Sequence, residues 1–464
     1  MDDYEVLRLG DEPRTGAAMS ALPTPERPAS DDSPDSWLPD EIIPPVPETI
    51  EETALPATTI EQLILKKLFF RGEMLGRELA SSLGFKFSLI EPLLETFKTQ
   101  RLLHVKRSMG LGDASAVFVL SDLGRAMARE YLETNQYTGP APVPLFQYTT
   151  LVRRQRRQPG WLSQDALAYA YRKMVITPGI LARLGPAVCS GNSLLLYGHP
   201  GNGKTYLAEA LVNLDYTPVY IPYAVECQGQ IVRVFDPMYH QRIDDEARSS
   251  VLECEPVSDE RFAKCRRPFI VTGGELTMDM LDLTYNATAK TYDAPFQVKA
   301  NNGIYLIDDF GRQRATPAEV LNRWIVPMER HVDFLSFQSG GKMTVPFEAF
   351  LIFSTNLRPH QLGDEAFLRR IQYKMLMRNP TEEEFSEIFR QFCRAQELGF
   401  EEAHIEYFLE RYYRRPGKPL RRCHPRDVLS HAINLSHFEL LPFALTEELI
   451  DRAFESCFLQ ETDE

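Results

Sequence analysis

Residues Ser193 to Leu207, SLLLYGHPGNGKTYL, decide how this chain is read. Leu194 to Tyr197 is a short apolar run suited to a buried strand, and it stops at Gly198. Gly203-Lys204-Thr205 then opens a helical segment, Tyr206-Leu207-Ala208-Glu209-Ala210-Leu211. The spacing is G-x-x-x-x-G-K-[ST] in a strand-to-helix setting, the pattern of a loop that wraps phosphate. Gly198, Gly201 and Gly203, with Pro200 and Asn202 between them, let the backbone turn its N–H groups inward. The helix start, from Lys204 through Tyr206, adds partial positive charge. Lys204 is expected to reach the β- and γ-phosphates of a nucleoside triphosphate, and Thr205 to hold a magnesium ion.

The totals limit what can surround this loop. The chain has 464 residues, too many for one ordinary domain, and 44% of them are hydrophobic. No stretch approaches the length of a membrane span, and the first residues are acidic rather than a basic-then-apolar leader. A cytosolic protein without membrane insertion is expected. The seven cysteines form no Cys-x-x-Cys pair, which argues against zinc and disulfide frameworks. The net charge of −14 is concentrated: residues 1–57 hold fourteen acids and three arginines, so they carry −11. With ten prolines and no helical period as well, they read as a disordered acidic tail.

Thr58 to about Thr138 changes character. Helices are expected over residues 59–68, over Glu73 to Ala80 and over Ser88 to Phe97. Strands follow at Leu102–Lys106 and Ala116–Leu120, and a closing helix begins at Ser121. This order resembles a winged-helix domain. Winged helices often read DNA with the third helix, but SLIEPLLETFK sets Glu91 and Glu95 against Lys98, and the wing offers only Lys106 and Arg107. Protein docking therefore ranks above nucleic-acid binding. GPAPVP, 139–144, reads as a stiff linker extending to about residue 160.

Downstream, Gly303-Ile304-Tyr305-Leu306-Ile307 is an apolar strand ending in Asp308-Asp309. It looks like a Walker B strand, in which Asp308 would hold the magnesium and Asp309 would deprotonate the attacking water. Relatives mostly carry Glu at the second position, so the shorter Asp309 puts the speed of hydrolysis in question. A second apolar strand, Phe350-Leu351-Ile352-Phe353, ends in Ser354-Thr355-Asn356. Asn356 resembles the sensor-1 residue of AAA+ ATPases. Arg370, just ahead of the next apolar strand, matches the arginine that family extends to a neighbouring subunit's γ-phosphate, with Arg369 beside it. The final region is helical, and Arg426, after Pro425, matches the lid's sensor-2 arginine, with Arg422 as the fallback.

Over roughly residues 160–460 the chain thus resembles AAA+ ATPases. The resemblance implies an α/β fold: a P-loop parallel sheet flanked by helices (161–379), then an all-α lid (380–464), with the winged-helix domain (58–138) and tail ahead of them. It also implies ATP and Mg2+ as ligands and a homo-oligomeric, hexameric ring, because a finger arginine acts only across a subunit boundary. His331 to Phe347 reads as a hairpin placed like the pre-sensor-1 hairpin of MoxR-type and enhancer-binding members, with Phe337 and Lys342 as candidates for touching a client. GPAPVPL, ANNGIYLIDDFGRQ, NRWIVPMERHVDFL and CHPRDVL further resemble bacterial ATPases described as having chaperone activity and linked to Flp pilus assembly. The expected activity is ATP hydrolysis that remodels a protein client; a slow nucleotide-gated scaffold and a DNA-associated regulator are the alternatives. Residues 224–299 are hard to read beyond a hairpin suggested by VYIPYAVE and QIVRVFDP.

Overall fold

A computed structural model describes residues 42–108, 112–158, 160–214, 217–243, 257–363 and 368–458. The acidic segment expected to be disordered lies outside the described residues up to position 41.

Five apolar segments form one parallel sheet. They are β1 (Ser193–Tyr197), β2 (Phe269–Thr272), β3 (Ile304–Ile307), β4 (Phe350–Thr355) and β5 (Tyr373–Leu376). The order is β2-β3-β4-β1-β5, with every neighbouring pair parallel. β3 and β4 are buried along their whole length, as expected when both faces of a parallel sheet are covered. One face packs on Trp324, Phe310 and Phe353; the other packs on Leu184, Val188 and Leu207. Because the strands run in parallel, the loop after β1, the acids after β3 and the tip of β4 all emerge at one edge.

A second, five-stranded sheet assembles from short pieces: Thr284–Asn286, Thr291–Asp293, Gln230–Arg233, Ala224–Cys227 and Val143–Pro144, in that order. Its Ala224–Cys227 and Gln230–Arg233 strands form the hairpin expected near there. The sheet corrects the linker reading of 139–160. Val143–Pro144 pairs with Val225 and Glu226, and the helix Leu145–Arg154 buries Tyr148, Leu151 and Val152.

The N-terminal region comprises the helix Ala57–Arg71, the strand Glu73–Leu75, helices Gly76–Leu83 and Phe87–Thr99, the strands Leu103–Ser108 and Ala116–Leu120, and the helix Asp122–Thr134. Glu73 to Ala80 is not one helix: Glu73–Leu75 pairs with Val117 to Val119. Gly76 then starts the helix where a Cβ would come within 2.6 Å of the Asp113 carbonyl oxygen and of the Phe87 ring. Residues 42–57 are also not a free tail. Thr53 and Leu55 are buried, and the Thr53 carbonyl accepts a hydrogen bond from Arg261 at 3.3 Å. Arg261 is itself buried in an ion pair with Asp259 at 2.8 Å. This strap, together with Ala224 and Ile231 in the N-terminal core, packs that region against the second sheet.

The lid contains α1 (Glu382–Ala395), α2 (His424–Phe438) and α3 (Glu447–Cys457), with Glu402–Leu409 between the first two. Thr381 and Glu384 form a capping box at the first helix, as TEEE suggests. The lid core is aromatic, centred on Phe385, Phe389 and Phe408.

Candidate functional site

The loop after β1 closes against the sheet and the lid by backbone contacts that only small residues permit. A Cβ on Gly198, at φ 147°, would collide with the Met377 carbonyl oxygen. A Cβ on Gly201, at φ 78°, would lie 2.6 Å from the Cys423 sulfur, whose own N–H donates to the Gly201 carbonyl at 2.9 Å. Gly203 takes the left-handed conformation at the helix start. The buried Asn202 side-chain amide donates to the Met377 carbonyl at 3.3 Å and to Asn379 Oδ1 at 3.0 Å. These bonds fasten the turn to the chain that leads into the lid.

At the same edge, five polar side chains form one connected array. Lys204 Nζ donates to Asn356 Oδ1 at 2.6 Å and to the carbonyls of Gly198 and His199 at 3.1 and 3.0 Å. Asn356 Nδ2 donates to Asp309 Oδ1 at 2.9 Å. Thr205 Oγ1 donates to Asp308 Oδ2 at 3.0 Å, and the Asp309 N–H donates to Asp308 Oδ1 at 3.0 Å. Strand order explains the meeting, because β4, carrying Asn356, lies between β3 with its acids and β1 with its loop. Asp309 sits in the left-handed region at φ 49°, a conformation aspartate tolerates better than most residues. That backbone is held because the next residue, Phe310, donates to the Ser354 carbonyl and accepts from Thr355 Oγ1.

Burial lowers the Lys204 ammonium pKa, the nearby Asp308 and Asp309 oppose that shift, and Arg421 adds to it. A cation drawn out of water beside carbonyl and amide oxygens is ready to exchange those neutral partners for an anion.

The array opens into a cleft of about 1540 Å³ between the sheet edge and the lid. Pro200, Gly201, Gly203 and Tyr206 line it with Lys204, Thr205, Asp308, Asp309 and Asn356. Arg426 lines it from the lid, is largely exposed, and pairs with Asp427 at 3.0 Å. Arg422 also lines it but is engaged as a clasp. It donates to the Val175 carbonyl and to Glu384 Oε2, both at 2.7 Å, tying the entry to α2 and the start of α1 of the lid to the segment ahead of β1. In the sequence Arg422 is the fallback to Arg426, and its buried partner Glu384 reads as an ordinary capping residue. The far end of the cleft is apolar and aromatic, with Tyr169 under the Arg172 guanidinium at 3.6 Å, then Met174, Ile388 and Phe392. No motif pointed to these residues.

Arg369 and Arg370 do not line this cleft. Arg369 is exposed, and Arg370 lies 3.8 Å from Glu329, just ahead of edge strand β5. The expected hairpin is present, with Val332–Ser336 paired to Lys342–Pro346. Phe337, however, is buried against Tyr292 at a 5.0 Å ring separation, which corrects its reading as a client-touching residue, whereas Phe334 and Lys342 are exposed.

Residues 381–456, the lid, match the model of a family described as a domain of unknown function (DUF8689). No curated protein sequence matches the chain. Among solved structures the chain is similar to NtrX from Brucella abortus, with a TM-score of 0.37 and 12% identity, covering 61% of this chain and 56% of that one. A second NtrX structure, in complex with ATP, gives 0.34 and 13%, covering 72% and 67%. A RuvB variant from Thermotoga maritima gives 0.34 and 14%, covering 65% and 73%.

Proposed function

We propose that this chain is an AAA+-type ATPase that works as a homo-oligomeric ring, hexameric by family resemblance, and uses ATP hydrolysis to remodel or assemble a protein client. The observation that carries this reading is the array Lys204–Asn356–Asp309–Asp308–Thr205 at the carboxyl edge of a parallel sheet, under a separate helical lid.

In this reading the triphosphate lies along the loop Gly198 to Thr205, and Lys204 gives up its carbonyl and amide partners for β- and γ-phosphate oxygens. Asp309 accepts a proton from the attacking water as the new oxygen–phosphorus bond forms and the bond to the bridging oxygen breaks, releasing ADP and phosphate. Asn356, bonded to both Asp309 and Lys204, keeps base and phosphate in register. Arg426 senses the phosphates from the lid, while Arg370, with Arg369 beside it, completes a neighbour's site. Thr205 and Asp308 fit a magnesium ion, since a hydroxyl and a carboxylate 3.0 Å apart are oxygen donors of the required kind. Among the described residues no cluster of three His, Cys, Asp or Glu side chains suited to a metal exists, and a magnesium ion held largely by phosphates needs none. Bound there, the ion would neutralise charge building on the phosphates.

The acidic tail and N-terminal domain are the parts we assign to client choice, with pilus or secretion assembly as the setting suggested by resemblance. A DNA-reading role is less well supported, because the relevant cations are taken. Lys98 pairs with Glu95 and Asp113, and Lys106 and Arg107 pair with Glu73. The deciding test is ATP turnover by the full chain: Asp309→Ala is expected to abolish turnover while ATP binding persists. Tight binding with no turnover in the unmodified oligomer would replace the motor with a nucleotide-gated scaffold. Salt-sensitive duplex binding by the full chain would restore the regulator.

A further inference from the structure

The phosphate loop and the lid meet at a joint that stands behind the cleft. β5 runs into the lid through Met377-Arg378-Asn379-Pro380, and Thr381 then caps α1. This connector is held at both ends. Met377 donates its N–H to the carbonyl of Tyr197, the residue before the loop, at 2.8 Å. Pro380 is buried and favours extended backbone at Asn379, the residue ahead of it.

Asn202, in the middle of the loop, directs its side-chain NH2 group at the connector. It donates to the Met377 carbonyl at 3.3 Å and to Asn379 Oδ1 at 3.0 Å. Its own Oδ1 is buried with no hydrogen-bond partner among the described residues, a cost that an apolar side chain would avoid. The two donated bonds are therefore what this side chain adds to the loop. The same Asn379 Oδ1 accepts from Arg421 Nη1, at the entry to α2. A side-chain carbonyl oxygen has two lone pairs, and here one faces the loop and the other the lid. Among the described residues Arg421 pairs with no acid, so Asn379 Oδ1 and the Leu420 carbonyl, at 3.4 Å, are what hold it. Its charge still reaches the site. After burial, Arg421 is the group that adds to the lowering of the Lys204 ammonium pKa, against Asp308 and Asp309.

We propose, on the reading of the cleft as a nucleotide site, that Asn379 is a positioning residue whose one oxygen couples the phosphate loop to the lid. Phosphate that draws Lys204 from the Gly198 and His199 carbonyls releases the start of the loop. Asn202 passes the shift to the connector, and Asn379 passes it to Arg421 and α2. Asn379 and Arg421 are not among the residues lining the cleft, so the joint acts through the loop and the lid. The Cys423 N–H also donates to the Gly201 carbonyl at 2.9 Å, a backbone contact that keeps loop and lid adjacent when side chains of the joint are changed.

The test asks how far the effect of a ligand travels. The full chain is mixed with magnesium and a non-hydrolysable ATP analogue, and amide exchange is followed in Lys204–Glu209 and in His424–Phe438. In the parent the analogue is expected to slow exchange roughly tenfold or more in both segments. In Asn379→Leu at saturating analogue, Lys204–Glu209 keeps its protection, while α2 exchanges within about twofold of the ligand-free variant. Asn379→Asp retains an oxygen for both donors and is expected to restore the protection of α2. Arg421→Gln leaves the connector intact, reproduces the Asn379→Leu pattern and carries the test if that variant does not fold; combining the two adds nothing further. Analogue protection that still reaches α2 in Asn379→Leu or in Arg421→Gln overturns the joint, as does an Asn379→Asp variant that behaves like Asn379→Leu. A loss that deepens in the combined variant reveals two separate links and overturns the shared acceptor. Protection confined to Lys204–Glu209 in the parent overturns the joint alone, whereas a parent in which neither segment responds takes the nucleotide reading down with it.

Discussion

Removing the Arg422 guanidinium offers the sharpest check on how the lid is held. Arg422 and Glu384 are 11% and 4% exposed, and their charged atoms lie 2.7 Å apart. Arg422→Met keeps much of the side-chain bulk but leaves the Glu384 carboxylate with the Thr381 N–H and no countercharge, and frees the Val175 carbonyl. Breaking a buried pair by deleting one partner costs about 3–5 kcal/mol, and neither group is exposed enough for solvent screening to reduce that much. A protein of several units has no single unfolding free energy, so the local readout is amide hydrogen exchange in Glu382–Ala395. Loss of ~3 kcal/mol of protection corresponds to roughly a hundredfold faster exchange there. The pair Arg422→Met with Glu384→Leu removes both charges together and is expected to recover most of the protection, since replacing a whole buried pair by apolar groups is near neutral. Exchange within about threefold of the parent in Arg422→Met, or a double variant no better than the single, would refute the clasp.

Three further outcomes follow from the geometry. Gly198→Ala is expected to weaken ATP binding at least tenfold while the thermal unfolding of the chain shifts by only a few degrees, because the new Cβ collides with the Met377 carbonyl and displaces the loop; equilibrium binding of a fluorescent ATP analogue measures it. His424, whose Nδ1 lies 2.8 Å from the Tyr413 hydroxyl, is pushed down to about 4 by burial. The folded state therefore holds it neutral while the unfolded chain takes up a proton near pH 6.5, so stability is full above that pH and declines as pH falls toward 4. Melting scans at about pH 7 and about pH 5, on either side of the unfolded value, check this, and His424→Gln should flatten the difference. Finally, mixing Arg370→Ala with Lys204→Ala subunits is expected to restore part of the ATPase rate, since some sites then pair an intact loop with an intact arginine; mixtures no more active than either variant alone would remove Arg370 from the shared site.

The parts of the site legible in the chain are those whose chemistry is local. Leu194 to Tyr197, Ile304 to Ile307 and Phe350 to Phe353 are strands of a sheet covered on both faces, so apolar runs betray them without help from neighbours. The loop Gly198 to Thr205 is set by its own glycines and by the helix it starts. Thr381 and Glu384 announce a helix start because a capping box is closed within a single turn.

What tertiary structure decided is everything that needs a distant partner. The strands of the second sheet are two to four residues long and carry no alternation, so only pairing makes them strands. The stretch 42–56 reads as tail by its prolines and acids, and becomes part of the fold because Arg261 and Gln147 donate hydrogen bonds to its Thr53 and Glu52 carbonyls. The Asn202 side-chain amide is taken by Met377 and Asn379, and Phe337, which by its place in the hairpin reads as a client-touching residue, is covered by Tyr292. Composition and spacing report which residues bury surface or bend the chain, because those are properties of neighbours in sequence. Which of two polar groups meets a ligand and which meets a carbonyl depends on segments brought together from far apart in the chain, and only the folded protein settles that.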